Sequence, residues 1–207
     1  MEEHVQKYLE NLRGKQATFC GIGRSHIPVM KLFRQYGANV TACDRRTRET
    51  LGETAEELER IGVTLSLGED YLENLSGDLL FRTPGMKYHL PQLEAARQRG
   101  VAVTSEMEEL FQLCPCKIYG VTGSDGKTTT TTLLSEFLKA AGKRVHLGGN
   151  IGNPLLPEIA DISKDDVVVV ELSSFQLISM RRSPDVAVVT NLSPNHLDIH
   201  KDMQEYV

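Results

Sequence analysis

The chain has 207 residues, 40% of them hydrophobic and 25% charged, enough to bury one large core or two modest ones. A net charge of −5 with no basic run speaks against a nucleic-acid partner. No apolar run approaches the roughly 18 residues of a membrane helix, and the N-terminus MEEHVQKYLENLRGK is too polar for a signal peptide, so a cytoplasmic protein without membrane attachment is expected.

In chain order, QATFCGIGRSH reads as a strand entering a glycine turn. VMKLFRQYG, with Val29, Leu32, Phe33 and Tyr36 at helical spacing, reads as the helix behind it. NVTACD follows as a strand, TAEELERIG as a helix, VTLSLG as a strand, DLLFRTPGM as a strand and turn, and PQLEAARQRG as a helix before VAVTSEMEEL. Strands alternating with helices predict a parallel sheet with crossover helices over residues 1–113. A change of composition at LCPCK marks a boundary. Residues 114–207 are then expected to form a second α/β unit, in which KIYGVTG, RVHLGG, DVVVVEL and VAVVTNL all read as buried strands. That series ends at Tyr206 and Val207 without a closing helix or turn and is read as incomplete. Cys20, Cys43, Cys114 and Cys116 form neither a disulfide framework nor a paired zinc motif and are read as reduced thiols.

GVTGSDGKTTTTTL, Gly120 to Leu133, departs from the strict phosphate-loop pattern, because five residues rather than four separate Gly120 from Gly126-Lys127. The physical requirements survive the extra residue. Gly123 and Gly126 free the backbone, Lys127 brings a positive charge, and Thr128 or Thr129 offers a hydroxyl suited to Mg²⁺. Leu133, Leu134, Phe137, Leu138 and Ala141 recur at helical spacing until Gly142, so the loop joins a strand to a helix N-terminus. An ATP and Mg²⁺ site is the expectation.

Ligands of open parallel sheets bind beyond the carboxyl ends of the strands. Gly148-Gly149-Asn150, Glu171 and Asn191 to His196 fall there with the glycine loop. Glu171 follows four valines, so its carboxylate emerges from a buried strand, where a metal ion is favoured over a salt bridge with Lys127. His196 stands open between a ligand of a second Mg²⁺ and a loop histidine, and Asp198 and His200 carry no assigned role. Ser173 begins a helix at SSFQL, as a cap or as a second group facing the metal.

Taken in order and spacing, GVTGSDGKTTTTTL, HLGGNIGNPL, VVELSSFQL and NLSPNHLDIH resemble the Mur ligases of peptidoglycan synthesis, and ELSSFQL resembles the D-glutamate-adding branch. GIGRSH, CDRR, TPGM and VTSEMEEL carry the resemblance through the first unit. It implies a Rossmann-like N-terminal domain for a UDP-sugar, a central P-loop ATPase-type α/β domain, and a C-terminal domain for the incoming amino acid. The chain would hold the first and most of the second.

Carried over residue by residue, the resemblance implies that Gly123, Ser124, Asp125, Gly126, Lys127, Thr128 and Thr129 bind ATP. Thr128, Glu171 and His196 would hold Mg²⁺, with Lys127, Glu171 and His196 as the catalytic set. Arg24, Ser25, Asp44, Arg45, Thr83 and Gly85 would contact uridine diphosphate, and Asn150 and Ser173 the substrate. The implied reaction moves the ATP γ-phosphoryl to the L-alanine carboxylate of UDP-N-acetylmuramoyl-L-alanine, from which the D-glutamate amine displaces phosphate, in a cytoplasmic monomer. Asp125 stands where an asparagine is common, Asn195 where an aspartate is usual, and Ile178 where a glutamate is. A relative adding another amino acid, or a folylpolyglutamate synthase, shares the chemistry. A nucleotide-sugar-binding fragment that never turns over is a non-enzymatic alternative. A dehydrogenase domain is a rival for the first unit, since Gly21 and Gly23 begin GxGxx and Asp44 lies about 20 residues on. The third glycine of that pattern is His26 here.

Overall fold

A computed structural model describes residues 1–195, 200 and 202–206. The chain divides into two compact units, Gln6–Glu106 and a second made of Met1–Val5 with Met107–Val207.

In the first unit, β1 (Gln16–Cys20), β2 (Asn39–Asp44), β3 (Thr64–Leu67), β4 (Leu79–Arg82) and β5 (Ala102–Thr104) form one sheet in the order β3-β2-β1-β4-β5, all parallel. The helices between them are α2 (His26–Gln35), α3 (Arg48–Leu51), α4 (Glu53–Arg60) and α5 (Pro91–Gln98). The expected alternation holds, because a parallel pair needs a crossover long enough to hold a helix. The strand order reverses between β1 and β4, which opens a crevice at their carboxyl ends. α2 buries Val29, Met30, Leu32 and Phe33. Phe33 packs edge-on against Phe19 and Phe81, which stack on each other at 4.5 Å between centroids.

His26 occupies the place of a third glycine. Its ring packs edge-on against Phe19 and Phe81, and Nδ1 donates to Gly21 O at 2.8 Å. Burial pushes this imidazole down to about 4, well below its ordinary value.

An N-terminal helix, α1 (Glu3–Glu10), adds to the elements expected from the sequence: Val5, Leu9 and Leu12 recur at i, i+4 and i+7 and are 0%, 0% and 2% exposed. The second unit opens with α6 (Glu106–Leu113), whose last carbonyl accepts from His4 Nε2 at 2.8 Å.

The second unit's sheet runs β7-β8-β6-β9, again all parallel, from β6 (Lys117–Thr122), β7 (Val145–Gly149), β8 (Val167–Glu171) and β9 (Val186–Val189). α7 (Lys127–Ala140) follows the glycine loop, a 3₁₀ turn covers Leu156–Asp161, α8 (Ser174–Leu177) follows β8, and α9 is Met203–Tyr206. β8 is buried along its whole length, as befits a Val-rich strand covered on both faces.

One expectation fails here, and one expected helix buries a face that its apolar spacing does not mark. β9 lies at the sheet edge, with Val186 41% and Val189 56% exposed, because β6 is its one neighbour in the sheet. α7 turns Leu133 and Phe137 outward, 50% and 67% exposed, and buries Thr131 and Ser135 instead. The glycine loop sets this orientation. Lys127 must face the strand ends, so Thr131 and Ser135, one and two turns later on the same face, meet the sheet. No described helix is long and apolar enough to cross a membrane.

Candidate functional site

The loop after β6 is shaped by two glycines, Gly123 and Gly126, and by the chain leaving β9. A Cβ on Gly123 (φ 132°) would collide with Thr190 Oγ1 and Asn191 O, so only glycine fits this crossing. Ser124 N donates to Asn191 O at 3.1 Å, and Asp125 N to Asn191 Oδ1 at 3.0 Å. Asp125 O in turn accepts from Thr190 Oγ1 at 2.6 Å and Asn191 Nδ2 at 3.1 Å. Ser124 Oγ donates to Ser193 O, accepts from Ser193 N, and lies 2.9 Å from Tyr206 Oη.

Two amides expected to face an anion, those of Ser124 and Asp125, are thus engaged by the β9 exit. Gly126 turns left-handed (φ 78°) and α7 starts, with Thr130 N the first amide to close, on Gly126 O at 3.0 Å. The amides of Lys127, Thr128 and Thr129 lie in the open first turn, where a helix has no carbonyls below them. Lys127 Nζ arches over the loop to Gly123 O at 2.7 Å and Ser124 O at 2.9 Å. Asp125 is exposed.

The carboxyl end of β8 meets this first turn. Glu171, 3% exposed, accepts from Thr128 Oγ1 at 2.6 Å on one oxygen and from Asn150 Nδ2 at 2.7 Å on the other. Asn150 N also donates to Glu171 O at 2.9 Å. Gly149 (φ 90°) permits this approach, since a Cβ there would collide with Glu171 O. The alternative of a Glu171–Lys127 salt bridge is replaced by these neutral donors. Burying a carboxylate costs several kcal/mol, and neutral donors offset that only in part. Thr128 Oγ1 and Glu171 Oε2 are hard oxygen donors side by side, which suits Mg²⁺. Among the described residues no group of three His, Cys, Asp or Glu side chains could hold a metal ion. His196 and Asp198 lie outside the described residues.

Ser173 N and Oγ both donate to Gln176 Oε1, at 2.9 and 3.0 Å, so the serine closes the first turn of α8. Its neighbour Ser174 Oγ lies 2.8 Å from Nε2 of buried His200, whose ring stacks on Phe175 and meets Tyr206 edge-on. His200 is therefore an anchor in the packing beside α8.

In the first unit, Arg24 and Ser25 follow β1, Asp44 and Arg45 end β2, and Thr83 and Gly85 follow β4, all at the carboxyl side of the strands around the crevice. Arg24, Arg45 and Gly85 are exposed, while Ser25 and Thr83 are half-buried. Asp44 is different. Oδ2 accepts from Ile22 N at 2.7 Å and Arg46 Nη2 at 2.8 Å, and Oδ1 from Arg46 N and Nε at 2.9 Å each. Burial alone would raise this carboxyl, but the Arg46 and Ile22 donors outweigh it and hold it below the usual carboxylate range. Four donors fill its lone pairs, so no capacity remains for a ribose hydroxyl, the contact a dehydrogenase reading requires.

Sequence reasoning missed Arg46 and also Arg82. The buried Arg82 donates through Nη1 to Thr83 O, Pro84 O and Met86 O, shaping the turn that bears Thr83 and Gly85. It missed Thr190 as well, the clamp on the glycine loop. Thr190 acts across the fold, Arg46 reaches back to Ile22 O, and Arg82 bonds carbonyls one to four residues on; only the dipeptide RR after CD hinted at one of them.

A strand, a left-handed glycine turn, a helix with an overhanging lysine and a buried carboxylate on the adjacent parallel strand define a P-loop-type α/β domain. Residues 121–207 match the family model described as the Mur ligase middle domain. Over its full length the chain is 51% identical to a UDP-N-acetylmuramoylalanine--D-glutamate ligase of Acetivibrio thermocellus and 50% identical to one of Clostridium botulinum strain Hall. In each case it spans 45% of the relative's length.

Among solved structures, a UDP-N-acetylmuramate:L-alanyl-gamma-D-glutamyl-meso-diaminopimelate ligase from Neisseria meningitides shares the fold over 93% of this chain and 65% of its own, with TM-score 0.57 and 23% identity. A UDP-N-acetylmuramate-alanine ligase from Thermotoga maritima does so over 93% of this chain and 45% of its own, with TM-score 0.54 and 22% identity. The chain is thus similar to Mur ligases along its whole length, with residues 121–207 matching the family's middle domain.

Proposed function

We propose that this chain is part of an ATP- and Mg²⁺-dependent ligase that joins D-glutamate to UDP-N-acetylmuramoyl-L-alanine in the cytoplasm. Residues 1–113 would form the UDP-sugar domain and residues 114–207 the first part of the ATP domain. The observation that carries the reading is the Thr128–Glu171–Asn150 array beside the first turn of α7. The relatives that share half of the sequence are named for this reaction.

The chemistry that ATP with Mg²⁺ supplies is activation of a carboxylate, otherwise a poor acyl donor, as an acyl phosphate. The chain's own residues provide position and charge. Lys127, released from Gly123 O and Ser124 O, would turn its ammonium to the transferring phosphoryl group, with the amides of Lys127 to Thr129 behind it. Thr128 and Glu171 would hold Mg²⁺, and His196 is proposed as a further ligand. Asn150 orients the Glu171 carboxylate, and Ser173 through α8 bounds the same strand end. In the first unit, Arg24 and Arg45 would meet the diphosphate, with Ser25, Thr83 and Gly85 lining the crevice, while Asp44 and Arg46 shape its floor.

Calorimetric titration tests each half. UDP-N-acetylmuramoyl-L-alanine should bind more tightly than UDP-N-acetylmuramic acid or the dipeptide form, and Lys127→Ala should abolish heat from ATP with Mg²⁺ while leaving the first titration intact. Equal affinity for all three UDP-sugars would overturn the substrate, and unchanged ATP binding in the variant would overturn the loop.

A further inference from the structure

That reading leaves unused the two thiols flanking Pro115, between α6 and β6. Cys114 Sγ and Cys116 Sγ lie 3.6 Å apart, and both cysteines are reduced. A disulfide needs about 2.05 Å, so side-chain rotation has only about 1.5 Å to close. Cys114 is half-buried and Cys116 is 9% exposed. Both line a concavity of about 530 Å³ shared with Lys117, Lys164 and Arg182 and one carboxylate, Asp185. Asp185 disfavours a Cys114 thiolate, while the three cations around the concavity draw anionic reagents to it.

Either thiol can donate to the other across this pair. That hydrogen bond, against the effect of burial, holds the Cys114 thiol below its ordinary value, and together with burial it pushes Cys116 up. Cys20 and Cys43 differ in kind. They are 0% and 3% exposed in the core of the first unit, and burial pushes the Cys43 thiol up to about 11.

We propose that Cys114 and Cys116 form an oxidisable dithiol that reacts with an anionic low-molecular-weight disulfide and closes to an intrachain disulfide. The Cys114 thiolate attacks one sulfur of the reagent, forming a mixed disulfide and expelling one thiolate. The Cys116 sulfur, 3.6 Å away, then attacks the Cys114 sulfur as its proton passes to the second departing thiolate. Two protein thiols are oxidised, one reagent disulfide is reduced to two thiols, and no other reactant enters. The new bond would tie the end of α6 to the residue before β6, the strand that leads into the glycine loop.

The test incubates the 207-residue chain with glutathione disulfide, alkylates it in denaturant and maps the peptides. Cys114 and Cys116 should be lost to alkylation together, with no glutathione retained, while Cys20 and Cys43 remain alkylatable. Cys116→Ser should keep one glutathione on residue 114, and Cys114→Ser should react roughly tenfold more slowly. Added salt should slow glutathione disulfide but not the cationic disulfide cystamine. A stable glutathione adduct on the unaltered chain, both thiols still reduced, or a Cys114→Ser chain reacting at the original rate would overturn the proposal.

Discussion

Glu171 shows how a single side chain is set by its surroundings. Four valines carry it out of the sheet, Gly149 lets the neighbouring chain touch its carbonyl, and Thr128 and Asn150 hold its two oxygens 2.6 and 2.7 Å away. Gly149→Ala forces a non-glycine residue to φ 90° and drives a methyl into Glu171 O. We expect a loss of about 2 kcal/mol or more in unfolding free energy, with nucleotide affinity falling alongside. Denaturant titration checks the first, and an unshifted midpoint would show that the crossing relaxes freely.

His26 gives the residue scale a pH signature. Its folded-state value of about 4 lies below the ordinary 6.5, so between these values the unfolded chain takes a proton that the folded chain refuses. The stability contribution is complete above pH 6.5 and disappears progressively toward pH 4, a change of about 3 kcal/mol. Urea unfolding of the chain at several pH values should show this slope. His26→Phe should flatten it, and a slope that survives the substitution would assign the titration elsewhere.

At the scale of elements, amphipathic spacing located most helices but did not fix which face is buried. α1 obeys the rule, with Val5, Leu9 and Leu12 inside. Leu9→Ala should cost about 2–5 kcal/mol, as fully buried leucines do. Thermal unfolding reads this directly, and a loss under about 1 kcal/mol would mean that the helix frays without consequence. α7 disobeys the rule, because its first residue is constrained by the glycine loop before its apolar residues can choose a face. The same contrast separates β8, with a partner on each side, from β9, with one. Both read as buried strands, since a run of valines carries no information about how many neighbours the sheet will provide.

At the scale of the whole molecule, the exposed apolar groups gather in the second unit: Leu133 and Phe137 on α7, Val186 and Val189 on β9, and Leu192 just beyond it. An edge strand with exposed valines offers unpaired backbone groups and apolar surface together, which promotes association. Light scattering should show the 207-residue chain self-associating as concentration rises, and Val189→Lys should suppress this without lowering the unfolding midpoint. Identical scattering from both chains would remove the edge as the cause.

What could be read from residues alone was what local chemistry dictates: the alternation of strand and helix, the glycine turns with their special backbone angles, Lys127 and Thr128 at a helix start, and Glu171 at a strand end. These follow from short-range sterics and hydrophobic runs, which neighbouring residues carry within themselves. Tertiary structure decided the rest. Asn191 engages the amides of Ser124 and Asp125 from 67 and 66 positions away, Ile22 N reaches Asp44 from 22 positions away, and Lys164 and Arg182 join Cys114 around one concavity. Such pairings depend on which surfaces meet after the sheets close, and no periodicity in a single chain encodes the identity of a partner across that distance.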